Sequence, residues 1–372
     1  MRLIHTGDIH IGSALALLPQ EKAKLRQTEI LDGFRRLSVF ARENAVAAVL
    51  IAGDLLDTNK TPRYIKKEVF SIIESAKPVC FFYVSGNHDS EFDETDDLPE
   101  NLYTFGEYHA FKSYDLPENI TVTGMDTKDF SSQNFASLSL RPERNNVVLL
   151  HGDIYAAAST VVSEQGLQNV KSKESIPLGL LKDKHINYLA LGHIHKPDAV
   201  ALPLDNRGKY RYCGCLEGRG FDEIGPRGFF LLEVNEKGIV SEKFLSIATR
   251  ETVEVCVDIT GIDSYLQMEE AAKTVLKSVD SKNAVKIVLC GSFSPSLKKD
   301  TSLLAARLAP LAFFVKVEDC SRLALDIQSY KNERSECGEF VREVGRYSLT
   351  ERDREEILEV GLKALLGEEI DI

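Results

Sequence analysis

Five short polar clusters hold most of the chemistry this sequence offers: Asp8-Ile9-His10, Gly53-Asp54-Leu55-Leu56-Asp57, Gly86-Asn87-His88-Asp89, His151-Gly152-Asp153 and Gly192-His193-Ile194-His195. Each is weak alone, since Asp-x-His is common and Gly-Asn is an ordinary turn dipeptide. Together, in order, each directly after an aliphatic run, they form a pattern that chance clustering explains poorly. Imidazole nitrogen combined with carboxylate and amide oxygen suits divalent ions of borderline hardness such as manganese, iron or zinc, and no thiolate lies in the clusters. Asp8-x-His10 and His193-x-His195 each present two donors on one side of an extended segment, because alternate residues of a strand share a face. The candidate ligands are Asp8, His10, Asp54, Asn87, His151, His193 and His195. Asp54 is the candidate bridge between two ions, which at a spacing of about 3.5–4 Å stabilise both the attacking and the leaving oxygen of an in-line displacement.

That chemistry leaves one role open, a proton donor for the departing oxygen. His88 suits it, standing beside a ligand without being needed as one, with Asp89 next to it as an orienting partner. The competing reading of His88 is a hydrogen bond within a turn. Asp57 and Asp89 are supporting candidates. Glycine precedes the ligand in Gly53-Asp54, Gly86-Asn87 and Gly192-His193, where a tight turn must aim a side chain inward without a Cβ clash; packing against a sheet is the alternative. His5, His109 and His185 carry no comparable pattern and default to structural roles.

The elements that must position these clusters are legible as aliphatic runs. Strands are predicted at Leu3–His5, Ala48–Ile51, Val79–Val84, Val147–Leu150 and Tyr188–Leu191. Between the first two, Leu25, Ile30, Phe34, Leu37 and Ala41 recur at roughly helical spacing. Alternating strand and helix indicates an α/β domain with a layered sheet, whose ligands sit beyond strand ends at one rim. From about residue 199 the texture turns β-rich, with Tyr210–Cys213, Gly228–Val234 and Ile239–Leu245 expected to close the domain on an antiparallel edge. A βαβαβ pattern follows: Thr252–Ile259, a helix over Ser264–Val279, Val285–Leu289, a helix near Thr301–Leu308, and Phe313–Val317. Two terminal helices are predicted at Glu336–Val344 and Glu351–Leu366, the second begun by a capping arrangement of Thr350 with Asp353. Their apolar face either folds back on the chain or docks on a partner. The expected organisation is a catalytic domain over 1–247, a small α/β domain over 248–328 and a helix-loop-helix tail over 329–372.

Composition bounds the partners. A net charge of −12 repels a polyanion overall, so contact with nucleic acid must be local. The basic candidates are Lys60, Arg63, Lys66 and Lys67, directly after a candidate ligand, with Arg26, Arg35 and Arg36 as a second group; solvated helix faces are an equal reading of both. The longest clearly apolar run, Ala45 to Ala52, falls far short of the about 20 residues a membrane span needs. The first residues read as a strand rather than a signal peptide. Seven scattered cysteines do not resemble a disulfide framework, so a reducing cytoplasm is expected. Cys213-x-Cys215 reads as buried strand, there being no second Cys pair to complete a zinc site.

The cluster series, in this order, resembles the calcineurin-like metallophosphoesterase superfamily. Within it, Asp8-Ile9-His10-Ile11-Gly12-Ser13, Glu217-Gly218-Arg219-Gly220-Phe221-Asp222-Glu223 and Gly228-Phe229 resemble the SbcCD nuclease subunit family of DNA repair exonucleases, over about residues 1–247. The resemblance implies an α/β fold with a layered β-sandwich metallophosphoesterase core flanked by helices, a small α/β capping domain and a C-terminal helix pair. It implies one metal on Asp8, His10, Asp54 and His195, a second on Asp54, Asn87, His151 and His193, and His88 as general acid. It further implies two manganese ions, cleavage of DNA phosphodiesters in double-strand break repair, a homodimer, and an SbcC-type coiled-coil ATPase as partner, docked on the terminal helices. The alternatives are a phosphoesterase of the same superfamily acting on nucleotides, cyclic nucleotides or phosphoproteins, and a non-catalytic scaffold subunit.

Overall fold

In the computed structural model the described residues are 1–372 apart from 17, 58–60, 90–91, 93–95, 107–108, 156–173, 237, 295–296, 325–326 and 367–372. Contacts divide the chain into Met1–Glu251 and Thr252–Ile372. In the first unit, strands β1 (Arg2–Thr6), β2 (Ala48–Ala52) and β3 (Cys80–Val84) pair in parallel, and helix α1 (Gln20–Glu43) and helix α2 (Arg63–Ser75) make the crossovers between them. Every residue of β2 is buried, which is why it reads as an unbroken apolar run rather than an alternating one.

The layers are two separate sheets, as the resemblance implies and the strand pattern alone does not say. One six-stranded sheet runs in the order Gly238–Ser246, Gly228–Asn235, β1, β2, β3, Leu102–Thr104; the other runs Leu202–Pro203, Lys209–Tyr212, Ile186–Gly192, Asn145–His151, Ile120–Gly124, Lys112–Leu116. The strands Gly228–Asn235 and Gly238–Ser246 form the expected antiparallel edge on β1, whereas Lys209–Tyr212, expected beside them, pairs in parallel with Ile186–Gly192 in the other sheet. The period-two alternation of each strand sorts its side chains between layers. Leu3, Ala48, Leu50 and Phe82 point between the sheets, against Val122, Val147, Leu149 and Ala190. Their neighbours Ile4, Val49, Ile51 and Phe81 face Ile30, Phe34, Leu37 and Ile73 of α1 and α2. On the far side, Val148, Leu150, Leu189 and Leu191 pack on Phe135 and Leu181. The result is the layered sandwich flanked by helices.

In the second unit the strands Thr252–Asp258, Ala284–Cys290 and Phe314–Asp319 form a parallel sheet, and the helices Tyr265–Leu276 and Thr301–Leu308 supply its crossovers. Ser264 and Asp300 cap those helices, accepting from Gln267 N–H at 3.3 Å and Leu303 N–H at 2.8 Å. Cys256 and Cys290 are joined in a disulfide, against the expectation of unpaired thiols. They lie 34 residues apart, and only the parallel pairing of their strands brings them together. The helices Glu336–Val344 and Glu351–Leu366 pack on one another through Val341, Val344, Leu358 and Leu362. Asp353 N–H donates to Thr350 Oγ1 at 3.2 Å, as the capping pattern predicts. No helix among the described residues is long and apolar enough to cross a membrane.

Two of the basic candidates pair with one buried carboxylate. Arg26, 3% exposed, donates to Glu29 at 2.6 Å and to Glu217 at 3.0 Å, and Arg36 donates to the other oxygen of Glu217 at 2.8 Å. Glu217 also accepts from Thr249 N–H at 2.7 Å and is fully buried. These arginines are therefore counter-charges for a buried carboxylate, and Arg35 pairs with Glu68 at 2.6 Å. Breaking one member of a buried ion network costs about 3–5 kcal/mol because the remaining charge stays desolvated. Glu217→Ala is accordingly expected to lower the unfolding free energy by that amount in urea titrations, whereas Arg35→Ala changes it by less than about 1 kcal/mol.

Candidate metal centre

β1 and β2 are neighbours in parallel, so the loops after them leave the same end and zip together. Asp8 N–H donates to Gly53 O at 3.0 Å, and the N–H groups of Ile9 and His10 both donate to Asp54 O at 2.9 Å. The turns are tight enough that Asp8, His10 and Asp54 take φ of 48°, 51° and 51°, and His193 takes 102°. Non-glycine residues seldom occupy that region, and such strain concentrates at functional sites. The strands Asn145–His151 and Ile186–Gly192 of the other sheet deliver His151 and His193 to the same rim.

All seven candidate ligands converge there. His10 Nε2 lies 3.5 Å from Asp54 Oδ2 and 3.2 Å from His195 Nε2. On the other side of Asp54, His151 Nε2 lies 3.4 Å from Oδ2 and 2.9 Å from Asn87 Oδ1. The His193 ring stands edge-on to that of His151, with centroids 5.2 Å apart, and His193 N–H donates to both Asp8 oxygens at 2.9 and 3.1 Å. Donor atoms of Asp8, His10 and His195, of Asp8, Asp54 and His151, and of His10, Asp57 and His88 each fall within 4.8 Å of one another.

The ring orientations decide what this pocket accepts. The Nδ1 atoms of His10, His195 and His151 sit against Asp57 Oδ1 at 2.9 Å, Glu223 Oε1 at 2.6 Å and Ala52 O at 2.9 Å. Carboxylates and carbonyls only accept, so each Nδ1 carries a proton, and in a neutral ring Nε2 presents a lone pair. Burial holds His10 below its ordinary pKa and brings His151 down to about 4, keeping these rings neutral. His10 Nε2 and His195 Nε2 face each other across 3.2 Å, and His151 Nε2 faces Asn87 Oδ1 at 2.9 Å and Asp54 Oδ2 at 3.4 Å. Two buried carboxylates add repulsion: burial, and then Asp54, pushes Asp8 well up. Facing donor atoms of this kind suit a cation placed between them, and this nitrogen–oxygen donor set fits divalent ions of borderline hardness.

Around the donors the structure corrects one expectation and adds two residues. Asp89 does not orient His88; its carboxylate is buried and accepts from Leu56 N–H at 2.8 Å and Gly86 N–H at 2.9 Å, tying the second and third loops together. Burial, and then Asp54, pushes Asp89 up to about 7. The carboxylate near His88 Nδ1 is Asp57, at 4.0 Å. The half-exposed His88 ring stands edge-on to His10 at 5.1 Å, and its backbone N–H donates to Asp54 Oδ1 at 3.0 Å. Sequence reasoning assigned no role to Arg219 or Glu223, which both contact His195. They fall in the Glu217–Glu223 stretch that carries the family resemblance, but no spacing rule links that stretch to the centre. Although burial pushes Glu223 up, the bond from His195 and that from Arg219 N–H hold it down at about 2. His5 is buried between the two sheets against Tyr188 Oη at 3.0 Å, and burial brings it down to about 3. His109 pairs with Asp129 away from the centre. Of the basic candidates after Asp57, Lys60 lies outside the described residues, Lys66 pairs with Asp96 at 3.4 Å, and Arg63 and Lys67 border a cleft shared with Glu74, Asp96 and Asp97.

Residues 1–197 match the family model of the calcineurin-like phosphoesterases, and the chain belongs to that family. The family's chemistry is metal-dependent phosphoester hydrolysis at two divalent ions. The chain is similar to an uncharacterized metallophosphoesterase, YhaO, of Bacillus subtilis, at 22% identity over 78% of this chain and 72% of the relative. It is similar to the DNA double-strand break repair protein Mre11 of Methanopyrus kandleri, at 27% identity over 70% of this chain, the match spanning 60% of that protein. It is also similar to a component of the SbcCD nuclease of Staphylococcus saprophyticus, at 24% identity over 68% of this chain and 71% of the relative.

The glycines at the rim are required by close approach. A Cβ on Gly53, whose φ is +82°, would lie 2.3 Å from His151 Nδ1, and one on Gly86 would lie 2.1 Å from Asp54 Oδ1. Gly53→Ala is expected to cost more than about 1 kcal/mol in unfolding free energy and to weaken retention of divalent metal, read by equilibrium dialysis. Native values in both measurements would mean that the turn relaxes freely.

Proposed function

We propose that this chain is a two-metal phosphodiesterase that cleaves DNA, acting in double-strand break repair with a coiled-coil ATPase. The observation that carries the reading is the convergence of His10 and His195 Nε2, 3.2 Å apart, beside a second set of donor atoms at His151, Asn87 and Asp54. Asp8, His10, Asp54 and His195 would hold one ion, and Asp54, Asn87, His151 and His193 the other, with Asp54 shared. Bound there, two divalent ions, manganese in this reading, supply Lewis-acid stabilisation of the phosphoryl charge and a nucleophile at neutral pH.

The chain's own side chains do the rest. Asp57, Glu223 and the Ala52 carbonyl hold the histidine tautomers, so the donor atoms are aimed before substrate arrives. The His88 backbone N–H fixes its residue on Asp54, leaving the ring half-exposed at the mouth, where a proton can pass to the leaving oxygen. Similarity to the break-repair protein and the nuclease component supports DNA as substrate. In this reading residues 248–328 cap the substrate, Arg63 and Lys67 contact its phosphates, a second copy completes a dimer, and the terminal helix pair docks on the ATPase. Three side chains of the second terminal helix, Ile357, Val360 and Leu365, remain exposed for that contact.

A second reading, hydrolysis of nucleotides, cyclic nucleotides or phosphoproteins, is favoured by the net charge of −12. A manganese-dependent assay comparing linear duplex DNA with a small chromogenic phosphodiester separates the two: DNA cleavage is expected, and turnover of the small ester alone supports the second. His88→Ala is expected to lower kcat on DNA by about 10²–10⁴ with metal uptake unchanged; full activity overturns the proton-donor role. Leu365→Asp is expected to abolish co-elution with a coiled-coil ATPase while leaving hydrolysis of the small ester intact.

A further inference from the structure

The two halves of the centre are oriented by different means. His151 is held by a main-chain carbonyl, Ala52 O at 2.9 Å. His10 and His195 are held by side-chain carboxylates, Asp57 at 2.9 Å and Glu223 at 2.6 Å, neither of which is among the proposed ligands. One residue joins those carboxylates, through its side chain and its backbone N–H. Arg219 Nη1 donates to Asp57 Oδ1 at 3.0 Å, Arg219 Nε lies 3.8 Å from Glu223 Oε1, and the Arg219 backbone N–H donates to Glu223 Oε2. Its Nη2 lies 3.4 Å from both ring nitrogens of His195, and Nη1 lies 3.5 Å from Ser13 Oγ. The side chain is only 18% exposed, so little of it is free to meet a substrate.

We propose that Arg219 is a positioning residue that clamps Asp57 to Glu223, and thereby sets the affinity of the ion shared by His10 and His195 without governing the His151 half. This deepens, and rests on, the two-ion reading above. A guanidinium is suited to the task because its permanent charge is spread over a planar fork, so that Nη1 bonds Asp57 while Nε keeps an ionic contact with Glu223 at 3.8 Å, which a compact ammonium cannot do. Carboxylates behind ligating histidines fix the ring orientation, and losing such a partner weakens metal binding by about 10–100-fold. Here one arginine controls two of them. An arginine that merely neutralised buried acids would affect folding, but it would not distinguish one ion from the other.

The test is calorimetric titration of the metal-free full chain with manganese, together with electron paramagnetic resonance of the loaded protein. The unsubstituted chain is expected to take two ions and show a spin-coupled pair. Arg219→Ala is expected to bind the first ion normally and the second about 10–100-fold more weakly, so that one equivalent gives the six-line signal of an isolated ion. Arg219→Lys, which keeps the charge but loses the fork, should recover only part of the affinity. If Arg219→Ala folds poorly, Asp57→Asn and Glu223→Gln each release one arm of the clamp and should produce the same selective loss. Unchanged affinity for both ions, or equal weakening of both, overturns the clamp. Fewer than two ions on the unsubstituted chain overturns the two-ion reading itself, and the clamp falls with it.

Discussion

Donor atoms turned toward one another govern this molecule. His10, His195 and His151 have their Nδ1 atoms committed to Asp57, Glu223 and the Ala52 carbonyl, so their Nε2 atoms point into a space shared with Asp8, Asp54 and Asn87. Such an arrangement is costly for a protein left to itself, because the buried carboxylates of Asp8 and Asp54 repel. It becomes favourable when cations fill the gap, and its residue types specify which cations fit. The surrounding architecture exists to hold that arrangement against its own repulsion.

The sandwich does so by directing strand ends from both sheets to one rim. β1, β2 and β3 supply the first three clusters, while Asn145–His151 and Ile186–Gly192 supply the last two. Between the sheets, Leu3, Leu50, Phe82, Val147 and Leu149 make a core that cannot shift without displacing those ends. The turns themselves are strained, with left-handed φ at Asp8, His10 and Asp54, and they persist because loop pairs are bonded to each other: Asp8 to Gly53, His10 to Asp54, and Asp89 to Leu56. Asp89, its pKa raised to about 7, acts as a brace between loops.

Charge is handled locally throughout. A chain with a net charge of −12 concentrates basic groups where buried acids require them: Arg26 and Arg36 on Glu217, Arg219 between Asp57 and Glu223, Arg250 on Glu29. Attraction for a phosphate substrate must therefore come mainly from cations bound at the centre, whose field at close range outweighs the diffuse repulsion of a solvated acidic surface.

The sequence by itself brought out the candidate ligands that the fold gathers at one rim, because they cluster within a few residues of runs whose burial is readable from their apolarity: Asp8 and His10 after Leu3–His5, Asp54 after Ala48–Ile51. It also determined the βαβαβ unit and the cap at Thr350, both local patterns. Only the tertiary structure decided what depends on contacts between distant segments. How the strands divide between two sheets rests on which strands pair, and strand sequences do not state their partners. Lys112–Leu116 and Ile120–Gly124 carry too many polar residues to announce themselves. The disulfide of Cys256 with Cys290 spans 34 positions, and the contacts of Arg26 and Arg36 with Glu217 span 191 and 181. The bridge from Arg219 to Asp57 spans 162, far beyond the reach of any local pattern. The choice of Asp57 rather than Asp89 as the neighbour of His88 is of the same kind: adjacency in sequence sent Asp89 the other way along a turn, and packing brought Asp57 across.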